Sequence, residues 1–182
     1  MSGRLVLVVG PSGAGKDTLI AAARAALAED PRFVFPRRDV TRPAVVAIED
    51  HDSVSEAEFA ARLERGAYAL SWDAHGLRYG LPSSIADDIA AGRVVVCNGS
   101  RAMTEAAARQ FAGTRVILIE ASPDIRAQRL AKRGRESASE IAARLARETP
   151  DVPAGAIRIN NSGAIGAGAA AFLAALRSMA TD

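Results

Sequence analysis

Residues 5 to 27 constrain the rest of the chain. Leu5-Val6-Leu7-Val8-Val9 is an unbroken apolar run, the pattern of a strand buried on both faces. Gly10-Pro11-Ser12-Gly13-Ala14-Gly15-Lys16-Asp17-Thr18 follows, and the Ala-rich stretch Leu19 to Leu27 then has strong helix propensity. Strand, glycine loop and helix together form the setting of a phosphate-binding loop. Glycines let the backbone curl so that successive N–H groups point inward at phosphate oxygens. The helix N-terminus adds partial positive charge, and Lys16 is placed to reach the β- and γ-phosphates. The pattern G-x-x-x-x-G-K-[ST] is kept up to its last position, where Asp17 stands and the hydroxyl comes one residue late, at Thr18. Asp17 and Thr18 are therefore the candidate Mg²⁺ residues, Asp17 as a ligand or as the group orienting a metal-bound water. The competing role for Asp17 is a favourable charge at a helix N-terminus, with no metal.

A chain of 182 residues is long enough for one domain with its own core. The net charge of +2 gives no footprint for nucleic acid. A single cysteine, Cys97, sits in an apolar run, so it reads as a packed thiol in a reducing compartment. No apolar run is long enough to span a membrane, and the first strand begins too close to Met1 for a signal peptide. The expectation is a cytoplasmic protein with small-molecule substrates and neither nucleic acid nor membrane as partner.

Further along, Phe33-Val34-Phe35 reads as a short strand, and Val40 to Asp52 as a working loop. Ser55-Glu56-Ala57-Glu58 is a capping box that opens a helix through Arg65, with Gly66 as its stop. Tyr68 to Trp72 and Leu77 to Tyr79 are strand-like and suggest a small antiparallel subdomain. Ser83 or Ser84 caps a short helix that ends at Gly92. Arg93 to Cys97 and Arg115 to Glu120 are two more buried strands, each followed by a helix. The first of these helices runs to about Phe111. The second opens at Ser122-Pro123 and ends near Arg133-Gly134. Ser137 to Glu140 caps a helix to about Glu148, Ala156 to Ile159 is a last short strand, and an Ala-rich helix closes the chain. Strands alternating with helices imply a parallel sheet with ligands beyond the carboxyl ends of its strands. The glycine loop, Asn98-Gly99-Ser100-Arg101 and Ala121-Ser122 should therefore share one rim.

Three arginine groups stand out: Arg37, Arg38 and Arg42; Arg129, Arg133 and Arg135; and Arg144 with Arg147. Arginine suits bidentate phosphate contacts and the neutralisation of a transferring phosphoryl group. No acidic residue is placed as a base toward an alcohol. A phosphate acceptor needs none, because its second pKa is about 6 and it is already an oxyanion at neutral pH. The inventory favours transfer to a phosphate over transfer to a hydroxyl.

Gly10 to Lys16, Thr41-Arg42-Pro43, His75-Gly76-Leu77-Arg78-Tyr79-Gly80 and Arg133-Gly134 with Ser137 resemble guanylate kinase. Other details resemble more closely a sister family, the ribose 1,5-bisphosphate phosphokinases of bacterial phosphonate metabolism. These are Gly15-Lys16-Asp17, Val40-Thr41-Arg42-Pro43, Glu49-Asp50-His51, Trp72-Asp73-Ala74-His75-Gly76-Leu77, Asn98 to Ala102, Arg133 to Ser137 and Asn161-Ser162-Gly163. The resemblance covers essentially the whole chain. It implies an α/β P-loop fold with a three-layer, guanylate kinase-like core and parallel sheet. An acceptor-binding subdomain over about Arg38 to Ser84 and a lid over about Arg133 to Ser139 would complete one domain over 1–182. It implies ATP and Mg²⁺, and conversion of ribose 1,5-bisphosphate to 5-phosphoribosyl 1-diphosphate. By position, Arg38, Arg42, Glu49, Asp50, His75 and Tyr79 line the acceptor side. Lys16, Arg129, Arg133 and Arg135 are the catalytic cations, the three arginines serving the lid. One departure is Ala44-Val45-Val46-Ala47-Ile48, where the resemblance leads to a glycine-bearing turn. The alternatives are guanylate kinase itself, against which Asn98 stands at an expected acidic position, and a non-catalytic module of the same fold.

Overall fold

Alternate residues of the first strand feed two different cores, and that alternation sets the architecture. The structure is a computed structural model and describes residues 3–42, 51–74, 76–132, 137–146 and 151–181. Its first half runs β1 (Arg4–Val9), α1 (Lys16–Ala26), β2 (Phe33–Val34), β3 (Arg38–Val40), β4 (His51–Ser53), α2 (Glu56–Glu64), β5 (Tyr68–Ala74), β6 (Leu77–Pro82) and α3 (Ile85–Ala90). The second half runs β7 (Val94–Asn98), α4 (Thr104–Gln110), β8 (Arg115–Glu120), α5 (Pro123–Lys132), α6 (Ala138–Ala146), β9 (Ile157–Asn160) and α7 (Ile165–Met179). A single 3₁₀ turn, Arg101–Met103, leads into α4.

Five strands form a parallel sheet in the order β2-β7-β1-β8-β9. On one face Val6, Val8, Val94, Val96, Ile117 and Ile119 pack with Leu19 and Ile20 of α1 and Phe172 and Leu176 of α7. On the other Leu5, Leu7, Val95, Cys97 and Leu118 pack with Ile85 of α3 and Met103, Ala107 and Phe111 around α4. Both faces are covered, which explains why these strands read as continuous apolar runs. Each fully buried aliphatic side chain contributes about 1.5–3 kcal/mol. The result is the expected three-layer α/β core. β1, β7 and β8 run parallel in register, with Val8 opposite Asn98 and Val9 opposite Leu118, so their carboxyl ends share one rim.

The second sheet corrects two expectations. Its order is β4-β3-β6-β5, and it is mixed rather than antiparallel throughout. Residues 40 to 52 were expected to be loop, yet β3 and β4 lie at its two ends and pair in parallel, Arg38 opposite His51. β3 also pairs antiparallel with β6, Val40 opposite Tyr79. Charged and short polar residues carry little β-propensity, so the ladders to β4 and β6, rather than local preference, make Arg38–Val40 a strand. The intervening Pro43–Asp50, with the unusual Ala44–Ile48, lies outside the described residues.

Local signals at the helix ends mostly hold. Ser55 Oγ accepts from Glu58 N at 3.1 Å, the expected cap of α2. Ser84 precedes α3 but makes no capping bond through its side chain. Among the described residues no helix is long and apolar enough to cross a membrane.

Candidate active site

The loop between β1 and α1 is shaped by its glycines. Gly10, Gly13 and Gly15 have φ of 148°, 80° and 95°, values that side-chain-bearing residues rarely adopt. Space enforces the same choice. A Cβ on Gly10 would stand 2.2 Å from Ile119 O, and one on Gly15 would stand 2.5 Å from Asn161 Nδ2. Gly15 caps α1 in the left-handed conformation with no side-chain bond, so no cap side chain occupies the N–H groups of the first turn. Lys16 folds back over the loop, its Nζ donating to Gly10 O at 2.7 Å and Pro11 O at 3.3 Å. Pro11, Ser12 and Ala14 complete the turn, with Ala14 N donating to Pro11 O at 3.3 Å.

Behind the loop stand three side chains. Arg126 Nε donates to Ser12 O at 2.9 Å. Arg129 Nη1 donates to Ala14 O at 3.2 Å and Nη2 to Asn161 O at 2.7 Å. Asn161 Nδ2 donates to Ala14 O at 2.8 Å. Arg129 was expected to serve a lid; its described contacts are with the glycine loop and the end of β9. Arg126 was missed. It lies three residues before Arg129, on the same face of α5, and that spacing was the available signal. Burial lowers the Arg126 guanidinium from its ordinary value. Burial, and secondarily the like charge of Arg126, lower Arg101 too.

In front of the loop, Asp17 Oδ1 accepts from Asn98 Nδ2 at 2.5 Å. Arg38 Nη1 in turn donates to Asn98 O at 3.1 Å. The same guanidinium lies over the Tyr79 ring, 5.3 Å from its centroid, and Tyr79 stacks on Trp72 at 5.2 Å with the planes 8° apart. One continuous path, Asp17–Asn98–Arg38–Tyr79–Trp72, therefore runs from the glycine loop into the second sheet. Sequence reading put Asn98 on the rim but missed its bond to Asp17, which spans 81 residues of chain.

The oxygen donors at this point fit Mg²⁺. One half-buried carboxylate, oriented by a neighbouring amide, suits an ion that keeps several waters and shares its shell with substrate phosphates. No cluster of three or more metal-binding side chains exists among the described residues, and such an ion needs none. Thr18 is exposed on α1.

The second sheet is organised by polar contacts. Asp39, buried in β3, accepts from Tyr68 OH at 2.5 Å and from Arg62 Nη1 at 2.6 Å. Arg62 also grips Glu58. Burial first, then the Asp39 bond and charge, push the Tyr68 hydroxyl up. Bonds to Asp39 and Glu58 push Arg62 up. Thr41 N donates to Arg78 O at 3.0 Å, and Arg78 N donates to Thr41 Oγ1 at 2.8 Å, fixing the backbone just before the half-buried Arg42. Glu49, Asp50, His75, Arg133, Arg135 and Arg147 lie outside the described residues, as does the Arg144 side chain.

No family model matches the chain. A protein of Brucella melitensis named ribose 1,5-bisphosphate phosphokinase PhnN is 51% identical over 180 residues, 98% of this chain and 94% of its own length. A protein of the same name from Acidiphilium cryptum is 54% identical over 169 residues, 93% of this chain and 90% of its own. Among solved structures, guanylate kinase from Anaplasma phagocytophilum superposes with a TM-score of 0.66 at 18% identity, over 100% of this chain and 88% of that one. That last likeness establishes the guanylate kinase-like fold.

Proposed function

This chain belongs to the ribose 1,5-bisphosphate phosphokinase family, and from that membership we propose its reaction in full. The γ-phosphoryl group of ATP passes to the C1 phosphate of ribose 1,5-bisphosphate, giving ADP and 5-phosphoribosyl 1-diphosphate. The observation that carries the reading is the Asp17–Asn98–Arg38 link, which ties the donor loop to the sheet bearing the acceptor arginines. Two polyanions must be brought in line, and cations on both sides reduce their repulsion. Gly10 to Thr18 cradles the donor phosphates through inward N–H groups, and Lys16 follows the transferring group. Arg129 supports that side from beneath, while Arg133 and Arg135 close over it from a lid at 133–139.

Arg38, Arg42, Glu49, Asp50, His75 and Tyr79 form the acceptor side, in an insertion over about 38–84 of a single domain spanning 1–182. Asp17, with Thr18 beside it, would hold Mg²⁺ or its water; when bound with ATP, the ion supplies charge neutralisation at the β- and γ-phosphates. No group need remove a proton, because the attacking phosphate oxygen is already ionised at neutral pH. A cytoplasmic location is supported by the unpaired, buried thiol of Cys97, whose ionisation burial strongly opposes.

The test is ATP consumption with each acceptor under one set of conditions. Ribose 1,5-bisphosphate should show a kcat/KM at least about a hundredfold above that for GMP, the discrimination expected when mispaired buried polar groups cost about 3 kcal/mol. A preference for GMP would make the chain a guanylate kinase. Turnover of neither would make it a binding module.

A further inference from the structure

Successive carbonyls of the glycine loop face outward, and each is claimed by a side chain from a distant element. Arg126 takes Ser12 O, Arg129 reaches Gly13 O at 3.4 Å and Ala14 O at 3.2 Å, and Asn161 takes Ala14 O at 2.8 Å. In a trans peptide the C=O and the next N–H point in opposite directions. Holding Ser12 O outward therefore turns Gly13 N–H inward, and holding Ala14 O outward turns Gly15 N–H inward. A peptide unit beside glycine can rotate easily, and a rotated one would aim a carbonyl at phosphate. We propose that Asn161, assisted by Arg126 and Arg129, is a positioning residue that holds the inward amides of the loop toward the phosphates of ATP. The proposal rests on the nucleotide-binding reading of that loop.

Asn161 is placed as such a strut. It is 3% exposed. Its backbone N donates to Glu120 O at 2.7 Å and its backbone O accepts from Arg129, so the main chain is fixed on both sides. The amide is clamped between two glycines from different elements. A Cβ on Gly15 would stand 2.5 Å from Nδ2, and one on Gly168, in α7, would stand 2.3 Å from Oδ1. Oδ1 has no hydrogen-bond partner among the described residues. A buried acceptor left unpaired is unfavourable, and an apolar side chain would avoid it. What the amide provides, and an apolar side chain would not, is the Nδ2 bond to the loop. Gly168 fits the same account: alanine is the better helix former there, but its methyl group would displace the Asn161 amide.

The experiment compares ATP affinity, ATP KM, acceptor KM and thermal unfolding for the wild type, Gly168→Ala, Asn161→Ala and the double variant. Gly168→Ala touches neither the loop nor a phosphate. It should nonetheless weaken ATP binding and raise ATP KM about tenfold, the size expected for losing one buried hydrogen bond. Acceptor KM at saturating ATP should stay near wild type, and the unfolding midpoint should fall by only about 2–4 °C, the cost of one buried hydrogen bond. Asn161→Ala should give a similar loss, and adding Gly168→Ala to it should change ATP affinity less than about twofold, because no amide remains to displace. Unchanged ATP affinity in both single variants, or an equal loss from Gly168→Ala in both backgrounds, overturns the inference. Should Asn161→Ala not fold, Arg126→Met tests the same brace at Ser12 O: a loss of about tenfold in ATP affinity supports it and wild-type affinity overturns it. Wild-type protein that bound no ATP would overturn the reading of the loop and the inference together. Normal wild-type binding with unaffected variants overturns the inference alone.

Discussion

In the parallel sheet, β1, β7 and β8 bury aliphatic side chains on both faces. In the smaller sheet, β3 buries Asp39, β4 buries His51, and Thr41 is buried just beyond β3. The first arrangement is non-directional. Any aliphatic side chain of suitable volume serves, and the geometry follows from packing. The second is directional: Asp39 is useful only while Tyr68 and Arg62 meet it, and Arg38 only while Asn98 O and the Tyr79 face are in reach. One sheet is a platform from which the glycine loop projects. The other adds to its buried Val40, Leu70 and Leu81 a set of polar side chains held in register.

The loop gives the sharpest way to break this contrast. Lys16→Ala should lower kcat/KM about a thousandfold, as for loss of a charge acting on the transferring group, with the urea midpoint unchanged. If stability falls with activity, the loop is also part of what holds the platform. Next in size is the platform itself. Ile117, fully buried in β8, should cost about 2–5 kcal/mol when changed to Ala, read by urea denaturation, with KM for both substrates little altered in the folded protein. A smaller loss should follow Asp39→Asn, about 1–3 kcal/mol, because Tyr68 and Arg62 lose their ionised partner. Here the acceptor KM should rise while ATP KM stays put. Equal changes in both would show that the two sheets are not separable in function. Tyr68→Phe should be mildest, about 1 kcal/mol, and non-additive with Asp39→Asn because the two share one bond.

Much of the platform was legible from residue order. The apolar runs at 5–9, 94–97 and 116–119 became β1, β7 and β8, and Ser55 capped α2, the Glu58 carboxylate of the expected capping box pairing with Arg62 instead. The second sheet was only half legible. The β5–β6 hairpin carried aromatic and aliphatic signals, whereas Arg38-Asp39-Val40 and His51-Asp52-Ser53 carried none that outweighed their polarity. In the glycine loop, Lys16 and the glycines stood out by their spacing alone. Arg126 did not, because a helix arginine is ordinarily part of a solvated face.

The sequence by itself determined the glycine loop between β1 and α1, the three-layer core and the family, because each is written in short-range terms: backbone freedom at glycine, apolar runs, and residue strings that fit one family. Only the tertiary structure decided that Asn98 meets Asp17 and that Asn161 meets Ala14, pairs separated by 81 and 147 residues. Such pairings depend on which strand lies beside which. Here β7 lies on one side of β1 and β8 on the other, with β9 beyond it, so the ends of β7 and β9 flank the loop. A hydrogen bond is formed or lost within a few tenths of an ångström, and that precision comes from sheet register and packed layers rather than from residue order.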